Sequence, residues 1–145
     1  MAELLYKLIE TEAELQGANE VKRQVFVVEQ GIDEELVFQS AGESDEINII
    51  VKDNNMIIGT ARVVFPVNDT AKIERMAVLK SYRVKGIGKG MISFILGELK
   101  RKKIKSIILH AQYQVAGFYK ACGFQELGLP FEEAGIRHVK MEMRY

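Results

Sequence analysis

The chain has 145 residues, of which 48% are hydrophobic and 28% charged, and it contains two prolines. This length suits one domain, residues 1–145, with a sizeable core, and the composition excludes a disordered or fibrous protein. The formal net charge is zero, which argues against a protein whose main task is to coat nucleic acid.

The single cysteine, Cys122, allows no disulfide within the chain and favours a reducing compartment. The first residues lack the basic start and apolar run of a secretion signal, and no apolar run approaches membrane-spanning length. We therefore expect a soluble, cytoplasmic protein with no membrane association.

Charge is distributed unevenly along the chain. Residues 80–105 contain nine Lys or Arg and one acid, whereas residues 31–46 contain six acids, Glu43 among them, and no base. Both runs are compatible with solvated faces, and residues 100–103 of the basic run with cations at a helix C-terminus. Alternatively, they form two poles, one for an anionic cofactor and one near a cationic acceptor.

A short strand at residues 4–10 is predicted to precede the first helix. Thr11 can cap this helix, with Glu14 three residues on as its capping-box partner. The pattern therefore predicts a helix that begins after Thr11.

The first helix is predicted to present one apolar stripe to the core. Val21, Val25 and Val28 recur at i, i+4 and i+7, with Phe26 beside them, and Gly31 is a helix stop. Core packing explains these side chains more simply than ligand contact does.

Residues 47–52, 56–65 and 71–78 are rich in Ile and Val and predict three consecutive antiparallel strands. Asp53-Asn54-Asn55 forms the turn between the first two, and Pro66 closes the second.

An amphipathic helix of about four turns is predicted from Ile87 to Leu99, because apolar residues recur there at helical spacing. A strand at 106–109 and a helix at 115–121, stopped by Gly123, come next. Strands at 124–127 and 136–143 end the chain, and the latter alternates apolar and charged residues as a strand with one buried face does.

A basic, glycine-rich turn joins the strand at 71–78 to the helix at 87. Glycines 86 and 88 let the backbone approach a ligand, and a helix N-terminus offers unpaired N–H groups to an anion. Arg83, Lys85 and Lys89 add positive charge. The turn predicts phosphate or pyrophosphate binding, with a spacing that fits neither a P-loop nor a dinucleotide fingerprint.

The spacing R-x-x-G-x-G, from Arg83 to Gly88, resembles the coenzyme A loop of the GNAT superfamily of N-acetyltransferases. Residues 116–124, AGFYKACGF, resemble the family's A-x-x-F-Y-x-x-x-G-F helix and lie one strand after the loop, as the family requires. Residues 25–32 and 130–138 look like a small bacterial branch of the same family.

This resemblance implies an α/β (α+β) fold of the GNAT type. Its mixed central sheet has about six to seven strands, mostly antiparallel in the N-terminal half and splayed after the fourth, flanked by about four helices.

The implied reaction moves an acetyl group from acetyl-CoA, the acetyl-donor co-substrate, to a primary amine by direct attack in a ternary complex. In the family a strand bulge frees backbone N–H groups for the thioester and pantetheine, which here implies Met76, Ala77 and Val78. The remaining cofactor contacts implied are Arg83, Val84, Lys85, Gly86, Ile87, Gly88, Lys89 and Phe118. No metal is implied, because the two histidines are far apart and the chemistry needs none.

Tyr119 matches the family's usual general acid toward the CoA thiolate. A phenol, with a reference pKa of about 10, is a neutral donor that can protonate a thiolate whose conjugate acid has a pKa of about 8.5. The alternative is that Phe118 and Tyr119 are helix core. Cys122 is expected to be structural, since direct transfer needs no acyl-enzyme.

An alkyl ammonium must lose a proton before it can attack, and Glu74 is the predicted base. Alternatively, Glu74 faces solvent or pairs with Arg75, and His138 or a water chain takes the proton. Glu29, Glu132 and Glu133 are weaker candidates, and His110, at the end of an apolar strand, is expected to be structural.

The acceptor, a small-molecule amine or a peptide amine, is expected opposite the cofactor. The residues predicted to bind it are Phe26, Glu29, Gln30, Phe131, Arg137 and His138. Their mixed chemistry names no particular amine, and the chain is expected to be a monomer or a homodimer. The competing function is a catalytically silent CoA or acyl-CoA sensor or interaction module, which would bind CoA without releasing free thiol.

Overall fold

The computed structural model describes residues 3–39 and 45–144. Glu43 of the predicted acidic run and Met1, the start of the predicted non-secretory N-terminus, lie outside the described residues.

One seven-stranded sheet runs through this part of the chain. In chain order its strands are β1 (Leu4–Leu8), β2 (Glu46–Asp53), β3 (Met56–Val67), β4 (Thr70–Val78), β5 (Ser106–Gln112), β6 (Gln125–Glu133) and β7 (Ile136–Arg144). Across the sheet the order is β1-β2-β3-β4-β5-β7-β6, and every neighbouring pair is antiparallel except β4 and β5. The mixed sheet predicted from the sequence is confirmed.

Four α-helices accompany the sheet: α1 (Glu12–Lys22), α2 (Glu34–Val37), α3 (Ile87–Leu99) and α4 (Ala116–Ala121). A π-helix, Arg23–Glu29, continues α1, and short 3-10 turns cover Lys80–Tyr82, Lys100–Lys102 and Tyr113–Val115. In the described ranges no helix is both long and apolar enough to cross a membrane.

The apolar stripe of α3 is confirmed. Ile87, Met91, Ile95 and Leu99 are each at most 3% exposed and join the core of β2 to β5 and β7. Full burial of such a side chain stabilises the fold by about 1.5–3 kcal/mol, so this stripe fixes α3 against the sheet.

Thr11 caps α1 as predicted, since its Oγ1 accepts from the Glu14 N–H at 3.1 Å. The second hydrogen bond of the capping box involves the preceding residue. The Glu14 carboxylate accepts from the N–H of Glu10 at 2.8 Å rather than from that of Thr11. Glu14 also accepts from Lys7 Nζ at 2.6 Å, which joins β1 to α1.

The predicted position of Val28 on the buried stripe is wrong. Val21 and Val25 are buried, but Val28 is 64% exposed. The π-helix accounts for this, because its wider turn rotates later side chains relative to the α-helical face. Phe26 is buried instead, and the helix stops at Gly31 (φ 69°) as predicted.

Two predicted strands were too short. β5 continues from Leu109 to Gln112, and β6 continues from Leu127 to Glu133. A register shift in the β6–β7 pairing after Leu127, with Gly128 at φ 74°, absorbs the glycine and Pro130 that would otherwise end a strand.

The two parallel strands separate partway along their length. β4 and β5 pair only from Thr70 opposite Ser106 to Ile73 opposite Leu109. Beyond that point β4 stays with β3 and β5 stays with β7, so a V-shaped opening forms between them.

Candidate active site

A cavity of about 1060 Å³ occupies the V-shaped opening between β4 and β5 and continues to the N-terminus of α3. The predicted site residues that line it are Phe26, Gln30, Glu74, Met76, Ala77, Val78, Arg83, Val84, Gly86, Ile87, Gly88, Lys89, Phe118, Tyr119 and His138. The structure therefore brings together most of the residues that the sequence singled out.

A bulge in β4 shapes one arm of the V. Thr60 opposes Ala77 and Arg62 opposes Glu74, so β4 carries one extra residue there, and Arg75 adopts φ 53°. The extra residue reverses the alternation of side chains. As a result Ile73 and Met76 both pack toward α3, while Ala77 joins the cluster under α1.

Backbone groups of β4 point into the V beyond the bulge. The Leu79 N–H donates to Ile58 O at 2.9 Å, and in an antiparallel ladder the next residue, Val78, directs its polar groups the other way. The Val78 carbonyl accordingly accepts from Arg83 Nε at 3.0 Å. By the same alternation Ala77 faces β3, so Met76 and Val78 offer their N–H groups to the cavity.

The turn before α3 has the backbone that an anion site needs. Gly86 occupies the N-cap position at φ 79° with no side-chain cap, and a Cβ added there would meet nothing within 4 Å. Ile87, Gly88 and Lys89 line the cavity, and a helix N-terminus leaves the N–H groups of its first residues without partners inside the helix. Val84 sits nearby at φ 62° and is fully exposed, a strained conformation for a β-branched residue.

Gly88 has a second reason to be glycine. A Cβ at this position would lie 3.0 Å from Phe118 Cζ, so the ring packs directly over the turn. Lys85 does not line the cavity; its ammonium lies 5.5 Å from the centre of the Tyr82 ring.

Arg83 connects the turn to the opposite wall. Its guanidinium forms two hydrogen bonds with the Glu29 carboxylate, at 2.9 and 2.8 Å, besides the bond to the Val78 carbonyl. Glu29, predicted to contact an acceptor, is not a lining residue and is engaged in this ion pair.

Tyr119 lies on α4, in the cavity wall and against the core. Its ring meets Phe118 and Phe124 edge to face, at centroid distances of 5.0 and 6.1 Å. Burial, with a smaller effect from Cys122, raises the pKa of Tyr119 to about 12. The phenol is therefore neutral throughout the physiological range. Burial also raises the pKa of the Cys122 thiol, which keeps it protonated and a poor nucleophile.

Glu74 lies in the same cavity but is held by cations. Its Oε1 accepts from Arg62 Nε at 2.9 Å and from Arg62 NH2 at 2.6 Å, and Lys72 Nζ lies 3.4 Å from Oε2. Burial alone would raise the pKa of Glu74, but these charges outweigh it and the pKa is lowered. A lowered pKa weakens a carboxylate as a proton acceptor.

The predicted acceptor wall is only partly assembled. Phe26, Gln30 and His138 line the cavity, whereas Phe131 and Arg137 do not. Phe131 packs against the rings of His110 and His138, and the Arg137 guanidinium lies 4.4 Å from the centre of the Tyr113 ring.

Several lining residues were not predicted as site residues, among them Lys72, Arg75, His110 and Gln112, and Glu133, a weaker candidate for the base, also lines the cavity. Strand alternation could have indicated two of them. Ile107, Leu109 and Ala111 are buried, so His110 and Gln112 belong to the other face of β5. Arg75 carried no such signal, because its position depends on the bulge, and the place of Glu133 beside His110 depends on the pairing of β6 with β7.

No three His, Cys, Asp or Glu side chains stand in a metal-binding arrangement within residues 3–39 and 45–144.

Known proteins share this architecture. Residues 9–145 match the family model described as an acetyltransferase (GNAT) domain. Protein YyaT of Bacillus subtilis (strain 168) is 40% identical over 143 residues, which cover 93% of this chain and 92% of YyaT.

Two solved structures have the same fold. Escherichia coli ElaA superposes with a TM-score of 0.85 at 23% identity, covering 99% of this chain and 100% of ElaA. A GNAT family acetyltransferase from Elizabethkingia anophelis, solved with acetyl-CoA bound, superposes with a TM-score of 0.75 at 17% identity and 98% coverage of both chains.

The splayed mixed sheet with a glycine turn at the head of α3 is the fold that this GNAT family acetyltransferase also has. The chain belongs to the GNAT acetyltransferase family.

Proposed function

We propose that this protein transfers the acetyl group of acetyl-CoA to a primary amine, by direct attack of the amine within a ternary complex. The observation that carries the proposal is the single cavity that joins the open V of the sheet to the glycine turn of α3. It offers backbone donors at one end and an anion site at the other.

The donor would lie along this cavity with its pyrophosphate on the N–H groups at the start of α3. Its thioester would then reach Met76 and Val78, whose N–H groups face the V. Fixed donors aimed at a developing oxyanion lower the barrier because they need no reorganisation during the reaction.

Tyr119 would serve as the acid for the departing thiolate. Because its pKa is raised to about 12, the phenol keeps its proton while the C–S bond breaks and stabilises the sulfur first by a hydrogen bond. The proton passes to sulfur as the new amide nitrogen loses its own.

The test measures free thiol released from acetyl-CoA across a panel of amines, with mass spectrometry of the acetylated product. We expect release above the buffer rate with at least one amine. Binding of acetyl-CoA with no thiol release for any amine would favour the silent sensor instead.

Tyr119→Phe should lower kcat by about 100-fold, the size of a lost general acid, while the affinity for CoA stays nearly the same. Tyr113→Phe is the matched control, since Tyr113 lies outside the cavity lining and should leave kcat unchanged. Unchanged turnover in Tyr119→Phe would remove this residue as the acid.

A further inference from the structure

A carboxylate stands between two imidazoles at the mouth of the V. Glu133 Oε1 lies 2.9 Å from His110 Nδ1, and Glu133 Oε2 lies 3.9 Å from His138 Nε2. The three side chains come from β5, β6 and β7, and all three line the cavity. Histidine and glutamate are the common proton acceptors of enzymes, so this cluster has the composition of a base.

His110 sits where the two parallel strands part. Ile73 and Leu109 are the last pair in register, so Glu74 and His110 are the first residues of each strand beyond the pairing. The amine must attack in this opening, because the backbone donors of Met76 and Val78 that would hold the thioester face into it.

Hydrogen bonding sets which ring nitrogen of each histidine is free. An ionised Glu133 accepts from Nδ1–H of His110, which leaves the lone pair on Nε2 of that ring. Likewise His138 Nδ1 lies 2.7 Å from the Ile136 carbonyl and donates to it. A carboxylate that orients an imidazole and stabilises its charged form is the arrangement found beside catalytic histidines.

The other carboxylate in the opening is less suited to the task. Protonation of Glu74 would remove the charge that strengthens its two hydrogen bonds from Arg62, whereas protonation of His110 would strengthen its bond to Glu133.

We infer that His110, oriented by Glu133, accepts the proton of a protonated primary amine and so generates the nucleophile; this inference rests on the proposed function. The ammonium loses one proton to His110 Nε2, and the free amine forms the C–N bond as the C–S bond breaks. The second amine proton replaces the one that Tyr119 gives to sulfur. The His110 proton passes to solvent, and the products are an amide and free CoA.

Other charged or titratable groups near His110 can influence its protonation. Those that share its cavity or oppose it in register are Lys72, Glu74 and Arg75 on β4, Tyr82 and Arg83 before α3, Lys89 on α3, Tyr119 on α4, Glu133 on β6, and His138 and Lys140 on β7. A pH profile of one variant is therefore insufficient, and the test varies the acceptor's basicity instead.

The experiment compares an alkylamine substrate with its alkoxyamine analogue, in which oxygen replaces the methylene next to nitrogen and the amine is largely unprotonated at pH 7. In His110→Gln and in Glu133→Gln, kcat/KM for the alkylamine should fall by about 100-fold, the usual size of a lost general base. For the alkoxyamine it should fall only a few-fold, because that nitrogen needs no base. Glu126→Gln, on the same strand but paired with Lys120, is the matched control and should change neither value.

Equal losses of kcat/KM for both acceptors would indicate a structural role and overturn the inference. No loss for either acceptor would overturn it as well. Unchanged CoA affinity shows that each variant is folded, and Glu133→Gln replaces His110→Gln should the latter fail to fold. Absence of thiol release by the wild type with every amine would instead overturn the proposed function, and this inference with it.

Discussion

Gly86 is the single residue that we expect to control the approach of the proposed cofactor. Its φ of 79° and the empty space around its missing Cβ leave the helix N-terminus open. Nothing within the described residues contacts that position, so the space is available to a phosphate.

Gly86→Val should weaken CoA binding by about 10-fold or more, or at least ~1.4 kcal/mol, because the new side chain would fill the pyrophosphate position. Calorimetric titration with CoA measures this.

Gly128→Val is the matched control, since Gly128 has φ 74° and an equally empty surrounding. Both variants carry the strain of a branched residue at positive φ, about 1–2 kcal/mol, but only the first should lose affinity. Equal CoA affinities in the two variants would contradict the cofactor loop.

Individual residues also show which structural features could be predicted from the sequence. Ile87, Met91 and Ile95 predicted a helix and its buried face correctly, because that information is local and periodic. The contact between His110 and Glu133 could not be predicted, since it exists only because β7 and β6 follow β5 across the sheet. The same holds for the Arg83–Glu29 ion pair, which joins residues 54 positions apart.

Among the elements, the β4 bulge and the π-helix are two irregular ones that border the cavity. The bulge turns Met76 and Val78 toward it, and the π-helix carries Glu29 to Arg83. Neither has a sequence signal in a single chain, because each is set by packing against neighbouring strands rather than by residue type. The element types and most of their bounds were predictable; these departures were not.

The ion pair between Lys7 on β1 and Glu14 on α1 makes folding stability depend on pH. Hydrogen bonds from Lys7 and from the Glu10 N–H lower the pKa of Glu14 to about 2 from an ordinary value of 4.5, against the opposing effect of burial. A lowered folded-state pKa contributes stability that is complete above pH 4.5 and lost as the pH falls toward 2.

Glu14→Gln should therefore lower the melting temperature at pH 7 and flatten its decline between pH 4.5 and 2. Thermal unfolding followed by circular dichroism across this range measures both effects. Glu12→Gln, an exposed carboxylate on the same turn, should leave the decline in place. An identical decline of the melting temperature in wild type and Glu14→Gln would contradict the role assigned to the ion pair between Lys7 and Glu14.

The whole molecule is organised around one opening in a sheet. β1 to β4 form one antiparallel part and β5 to β7 the other, and among the described residues the strands of the two parts pair at four positions, between β4 and β5. The core continues beneath this junction through α3, whose buried side chains pack against strands of both parts.

The central claim is that the thioester and pyrophosphate of acetyl-CoA bind to main-chain N–H groups on β4 and at the start of α3. A 145-residue chain is suited to amide-resolved NMR, and a titration with acetyl-CoA reads these groups individually. We predict that the amide signals of Met76 and Val78, together with those of residues 86–89, shift most as the ligand saturates. The account would be contradicted by amides in those two segments that stay unmoved at millimolar acetyl-CoA, or by shifts confined to another face of the sheet.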